Sequence, residues 1–270
     1  MRIRYRDDSI MQDGGHTYQA TNEAPEILTK LLDKIDPAFK IKNVGSICSG
    51  GEIPILFLAP RYENVIAVDN SRGSLMWAIL KAQLLRNLPV ADVRKLLGTG
   101  PLDITNNDLL KIGRRLARRG LAITGYNNVM LDVTGIWSKL TDSQLTAAAQ
   151  SLGKIQFVHG DMILVWEKAA KDLGGLDLIY TSNAMAFSTS PTVGSRSSLW
   201  PSQKFADVLK PGGYLLSTSD PNADGVSTFD IVATDNGSRS IYTGGMHWNY
   251  WLGRKPLSGK VDTTIVPAKV

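Results

Sequence analysis

The chain has 270 residues, 43% of them hydrophobic and 20% charged, with a net charge of +5 and a single cysteine, Cys48. That length suits one large α/β core with insertions. No run approaches the roughly 18 apolar residues of a membrane span, the first residues lack the apolar stretch of a secretory signal, and one cysteine excludes an intrachain disulfide and a cysteine-built zinc site. A soluble cytoplasmic protein without a bound metal is expected, and the positive charge favours anionic partners, with nucleic acid, a phospholipid surface and a small phosphorylated molecule all open.

Residues 1–40 read as an N-terminal segment and helix ahead of a main domain spanning 41–270. Residues 1–20 are polar and turn-rich. Such a segment either folds as a lid over the open edge of a sheet, bringing His16, Tyr18 and Gln19 to a substrate, or stays a mobile terminus. A helix is predicted over 25–34.

Residues 42–71 set the plan of the chain: a strand at 44–47, a glycine-bearing turn at 48–52, an apolar helix opening at 53–58, and a second strand at 65–68 closed by Asp69. In such a unit Gly50 and Gly51 leave backbone uncovered for a ligand, and the carboxylate after the second strand can accept two hydrogen bonds from ribose hydroxyls. The turn, Ser46-Ile47-Cys48-Ser49-Gly50-Gly51-Glu52, lacks the third glycine of a dinucleotide-binding loop. Glu52 would repel a pyrophosphate at that place and tolerate a ligand carrying a sulfonium and an ammonium. S-adenosylmethionine is such a ligand, to be held by Cys48, Ser49, Gly50, Gly51, Glu52, Asp69 and Asn70; the alternative is an ordinary strand turn. Cys48 itself suits a small buried residue beside the loop more than a reactive thiol.

A long helix capped by Ser71 follows, and then residues 90–153 form an insert far longer than an ordinary crossover. Helices are predicted there at 91–97, 107–119, 127–140 and 142–152, the last capped by Thr141. In the second, Lys111, Arg114, Arg115, Arg118 and Arg119 fall on one face. That face is either solvated or holds a phosphate group or an anionic lipid surface, so Arg114, Arg115 and Arg118 are substrate-binding candidates together with Tyr18.

A third strand, 155–159, leaves through Gly160 and Asp161. Asp161 either meets an adenine amino group or caps the helix predicted over 162–172. A fourth strand, 176–180, opens into Thr181, Ser182 and Asn183 at the sheet edge where substrate should lie. Tyr180 and Asn183 are the preferred acceptor-side contacts, and His16, His159, Asp161 and Tyr180 are the candidate bases. Pro211-Gly212-Gly213 should end a helix and turn into a strand at 214–218. Further strands are predicted at 229–234 and 240–243, and the aromatic run 246–251 either packs on the core or lines an acceptor pocket through Trp248.

In their order, the loop at 44–51, Asp69, Gly160-Asp161, residues 177–182 and the LKPGGYLL segment resemble the Class I S-adenosylmethionine-dependent transferases. The resemblance implies a Rossmann-like α/β fold, a seven-stranded, mostly parallel sheet with helices on both faces and the helical insert between strands 2 and 3. It also implies cofactor contacts from Gly160, Asp161, Thr181 and Ser182. More narrowly, SGGEIPILFLA, VIAVDNSRGSLMWAILKAQLLRNLP, Leu-Leu-Gly at 96–98 and the insert resemble the betaine-lipid family of 3-amino-3-carboxypropyl transferases, although Asn-Ser-Arg follows Asp69 where that family favours Leu-Asn-Pro. This implies transfer of the aminocarboxypropyl group with release of methylthioadenosine; methyl transfer from the same cofactor, to a small molecule or RNA, is the alternative. The anionic acceptor expected is lipid-like or a phosphorylated peptide or nucleotide metabolite. Thr181-Ser182-Asn183-Ala184, in place of Asn/Asp-Pro-Pro-aromatic, argues against exocyclic base amines or a glutamine amide as acceptor.

Overall fold

Short β-branched and aliphatic runs bounded by turns form the strands of the computed structural model, which describes residues 4–7, 23–97, 136–182, 200–218, 228–236 and 249–257. The strands are β1 (Arg4–Asp7), β2 (Asn43–Ile47), β3 (Asn64–Asp69), β4 (Ile155–His159), β5 (Leu176–Tyr180), β6 (Leu209–Ser217), β7 (Asp230–Asn236) and β8 (Asn249–Arg254). The helices are α1 (Pro25–Leu32), α2 (Arg72–Asn87), α3 (Val90–Leu97), α4 (Ile136–Lys139), α5 (Asp142–Ser151), α6 (Met162–Leu173) and α7 (Trp200–Val208). Among the described residues no helix is long and apolar enough to cross a membrane.

The strands form one sheet in the order β1-β4-β3-β2-β5-β6-β8-β7. β1 through β6 pair in parallel, and β8 runs antiparallel to both β6 and β7. The chain moves outward from β2 through β3 to β4, then returns to the other side of β2 for β5 and β6. The carboxyl ends of β2 and β5 therefore flank the point where the order reverses, the place at which open α/β sheets leave a crevice for a ligand.

Parallel strands must be covered on both faces. One apolar layer joins α1 to α5 and the segment at Ile53–Leu58 to Val44, Leu178, Tyr180, Tyr214 and Leu252; the other joins α6 and α7 to Val68, Ile179, Leu215 and Trp251. Gly45 in β2 permits the second contact, since a Cβ there would lie 2.9 Å from Trp166 Nε1.

The predicted caps form. Ser71 Oγ accepts from Ser74 N at the start of α2, and Thr141 with Gln144 makes a reciprocal capping box at α5. Four details differ from or add to these expectations. Among the described residues the sheet has eight strands, because Arg4–Asp7 adds to the edge of β4 within what read as a turn-rich terminus. Ile53–Leu58 is a π-helical turn. Pro211-Gly212-Gly213 lies inside β6, where Leu176 pairs with Leu209 and Leu178 with Tyr214, so the intervening residues bulge and Gly212 takes φ 75°. Part of the aromatic run becomes β8, with Tyr250 in one core layer and Trp251 in the other. The predicted strand at 240–243 and the helix at 107–119 lie outside the described residues.

Candidate active site

β2, β3, β4 and β5 deliver the cleft residues to one edge. Asp69 closes β3, and its two oxygens are oriented by backbone amides: Ser49 N donates to Oδ2 at 2.9 Å and Ser71 N to Oδ1 at 2.9 Å. The carboxylate thus brackets the loop after β2 and the start of α2. Cys48 N donates to Val68 O at 2.7 Å and Gly51 N to Cys48 O at 2.9 Å, which closes the loop into a tight turn with Ser49 at φ 45°. Asn70 is exposed beside it. Gly160 N donates to Asp69 O at 3.0 Å, joining the β4 exit to the same acid's backbone.

Two loop residues are tied to α2. Gly51, with φ 95°, is the first: a Cβ there would stand 2.6 Å from Ala78 Cβ, so its missing side chain lets the loop pack on α2. Glu52 is the second. It is buried, and its Oε1 takes the Lys81 ammonium from α2 and the Trp137 indole N–H at 3.4 Å. Lys81 Nζ also donates to Gly50 O at 3.0 Å, so the lysine fixes the loop at two points. An apolar helix pattern gave no sign of this; the signal was a lone Lys within AILKAQLL.

Cys48 is buried, and burial pushes its thiol up, helped by the negative charges of Asp69 and Glu52 and opposed by Lys81. It is a packing residue that stays protonated. Asp161 performs the capping role, its Oδ1 accepting from Ile163 N at 2.9 Å and Leu164 N at 3.1 Å. Both bonds end on one oxygen, a geometry compatible with an adenine contact from the other. His159 is buried between Arg72 Nε, 3.5 Å from Nδ1, and Asn70 O, 3.2 Å from Nε2, which is a structural placement at the β4 exit.

On the acceptor side, Tyr180 belongs to the core layer rather than the open edge, and its buried hydroxyl has no hydrogen-bond partner among the described residues. Thr181 N donates to Leu216 O at 3.0 Å. Ser182 takes φ 55° and its hydroxyl donates to Glu23, a buried carboxylate that sequence reasoning missed. His16, Tyr18, Asn183, Arg114, Arg115, Arg118 and Trp248 lie outside the described residues.

The strand order, with a parallel sheet ended by an antiparallel β8 inserted between β6 and β7, is that of the Class I methyltransferase fold. No family model and no curated protein matches the sequence. Among solved structures the chain is similar to the rRNA methyltransferase aviRa from Streptomyces viridochromogenes, with 14% identity over 91% of this chain and 88% of that one at a TM-score of 0.48. It is also similar to the N-methyltransferase NodS from Bradyrhizobium japonicum WM9 in complex with S-adenosyl-L-homocysteine, with 14% identity over 86% of each chain and a TM-score of 0.43. A third likeness is to the [4+2]-cyclase SpnF, with 12% identity over 91% of this chain and 88% of that one and a TM-score of 0.43.

Proposed function

We propose that the chain is an S-adenosylmethionine-dependent transferase. The observation that carries this reading is the Asp69 carboxylate at the end of β3, fixed by the amides of Ser49 and Ser71 next to the carboxyl end of β2, where the strand order reverses. Asp69 would hold the ribose, the Cys48–Ser49–Gly50 backbone would lie against the nucleoside, and Asp161 would meet the adenine edge while capping α6. When bound, the cofactor supplies a sulfonium with three carbons open to in-line attack. The chain's own contribution is orientation, which can supply much of the rate enhancement.

Within that class we favour 3-amino-3-carboxypropyl transfer to an anionic or phosphate-bearing acceptor. The support is the sequence resemblance over 49–59, 65–89 and 96–98 and the run Lys111, Arg114, Arg115, Arg118, Arg119, whose charges suit a phosphate. Methyl transfer is the second reading, since the fold serves the same cofactor without choosing the carbon. Incubating the purified chain with S-adenosylmethionine and candidate phosphorylated acceptors, and identifying the nucleoside by mass, separates them. Methylthioadenosine is expected; S-adenosylhomocysteine would select methyl transfer, and absence of cofactor binding by calorimetry would end both readings.

A further inference from the structure

Lys81 lies in the middle of α2 and is 3% exposed, with Ile79, Leu80 and Ala82 buried around it. Its ammonium donates to Gly50 O at 3.0 Å and pairs with Glu52, two residues further along the same loop. Glu52 Oε1 also accepts from the indole N–H of Trp137, which belongs to α4 in the insert. The loop after β2, the helix α2 and the insert therefore meet at one buried polar point.

The carbonyl that Lys81 holds belongs to the peptide between Gly50 and Gly51. With no Cβ on either side, such a peptide has unusual freedom to rotate. Here it is held at both ends: its carbonyl meets Lys81, and its N–H, that of Gly51, donates to Cys48 O at 2.9 Å. The residue before it, Ser49, donates its amide to Asp69 Oδ2 at 2.9 Å, so the lysine fixes the peptide next to the one that orients the acid at the end of β3. Packing alone does not call for a lysine at this place. An apolar side chain of similar volume would cover α2 without desolvating two ions, but it would leave Gly50 O without this donor.

We propose that Lys81 is a positioning residue for the cofactor, an assignment that rests on the S-adenosylmethionine reading above. It holds the Gly50–Gly51 peptide in the orientation that receives the nucleoside, and Glu52, braced by Trp137, holds the lysine. A charge-assisted hydrogen bond suits this task because it is stronger and more directional than a neutral one. Without it the glycine peptide turns among several orientations. The ligand then binds only the fraction of molecules whose loop is correctly set, and its apparent affinity falls by that fraction. Through Trp137 the insert takes part in the same control, since it braces the acid from the side away from α2.

Calorimetric titration of the full chain with S-adenosylhomocysteine separates positioning from packing. The double variant Lys81→Met with Glu52→Leu removes both ions together, so urea unfolding should find most of the stability retained, while affinity for the nucleoside falls at least tenfold because Gly50 O has lost its charged donor. Affinity within twofold of the wild type in the folded double variant overturns the assignment. Glu52→Gln leaves Lys81 on Gly50 O and should bind within threefold of the wild type; a loss as large as that of the double variant would place the effect on the acid and also overturns it. Because the double variant can fail to fold, the wild-type chain is pulse-labelled with acetic anhydride, with and without S-adenosylhomocysteine, and modification of Lys81 is read by mass spectrometry. Coupling is reciprocal, so a bound nucleoside should slow that modification at least fivefold, and an unchanged rate overturns the assignment. A wild-type chain that binds no S-adenosylhomocysteine overturns the cofactor reading and this one with it, whereas normal binding by the wild type and the double variant alike overturns this one alone.

Discussion

A lysine on the apolar side of a helix has to find a counter-charge, and Lys81 finds Glu52, with side-chain exposures of 4% and 1%. Such a pair is weak evidence of net stability, because desolvating both ions offsets most of their attraction, but removing one partner leaves a charge stranded. Lys81→Met should therefore cost about 3–5 kcal/mol in urea unfolding. The double variant Lys81→Met with Glu52→Leu should recover most of that loss. If the double variant is as unstable as the single one, the cost comes from packing around α2 and not from the ion pair. At this scale the sequence was partly legible: Asp69 after a strand and Cys48 as a buried residue sit where the pattern put them. Glu52 and Glu23 were not legible, since their partners lie 29 and 159 residues away. Glu23 also stands just before Pro25, where an acid reads as an ordinary helix-start residue.

The loop after β2 and helix α2 act as one element, and Gly51 is the joint between them. Gly51→Ala must adopt φ 95° and drive a methyl against Ala78, so overpacking of about 1–3 kcal/mol adds to the backbone cost. Gly174, at φ 70° with nothing within 4 Å of an added Cβ, supplies the comparison. There the penalty is the backbone's alone, roughly 1–2 kcal/mol. Thermal melts should rank Gly51→Ala well below Gly174→Ala, and equal melting points would remove the contact with Ala78 as the reason for the glycine. Elements defined by local signals, such as the caps at Ser71 and Thr141 and the runs at Ile155–His159 and Leu176–Tyr180, could be read in advance. The bulge in β6 could not, because Pro211-Gly212-Gly213 looks like a helix stop and only the register against β5 makes it an in-strand kink.

The sheet as a whole is extended at one end by β1, which pairs with β4 from Arg4↔Gln156 to Asp7↔His159. Its polar sequence hid it, since an edge strand needs little hydrophobic patterning to pair. Deleting residues 1–7 leaves β4 as the edge, a row of unsatisfied amides and carbonyls next to a strand as apolar as Ile155–His159. Light scattering should then show concentration-dependent self-association at unchanged helix content, and a monomer as well behaved as the full chain would mean that β1 shields nothing.

β8 lies between β6 and β7 although it is the last of the three in the chain. During synthesis β7 therefore leaves the ribosome with no neighbour to pair with, and waits until Asn249–Arg254 has followed it and the two can dock on β6 as a hairpin. Tyr250 on that hairpin accepts the amide of Ala24 across a separation of 226 residues, so the final seating of Ala24 and its neighbour Glu23 is delayed until the codons for the hairpin have been translated. A nascent chain would hold its half-built cleft open at this side until then.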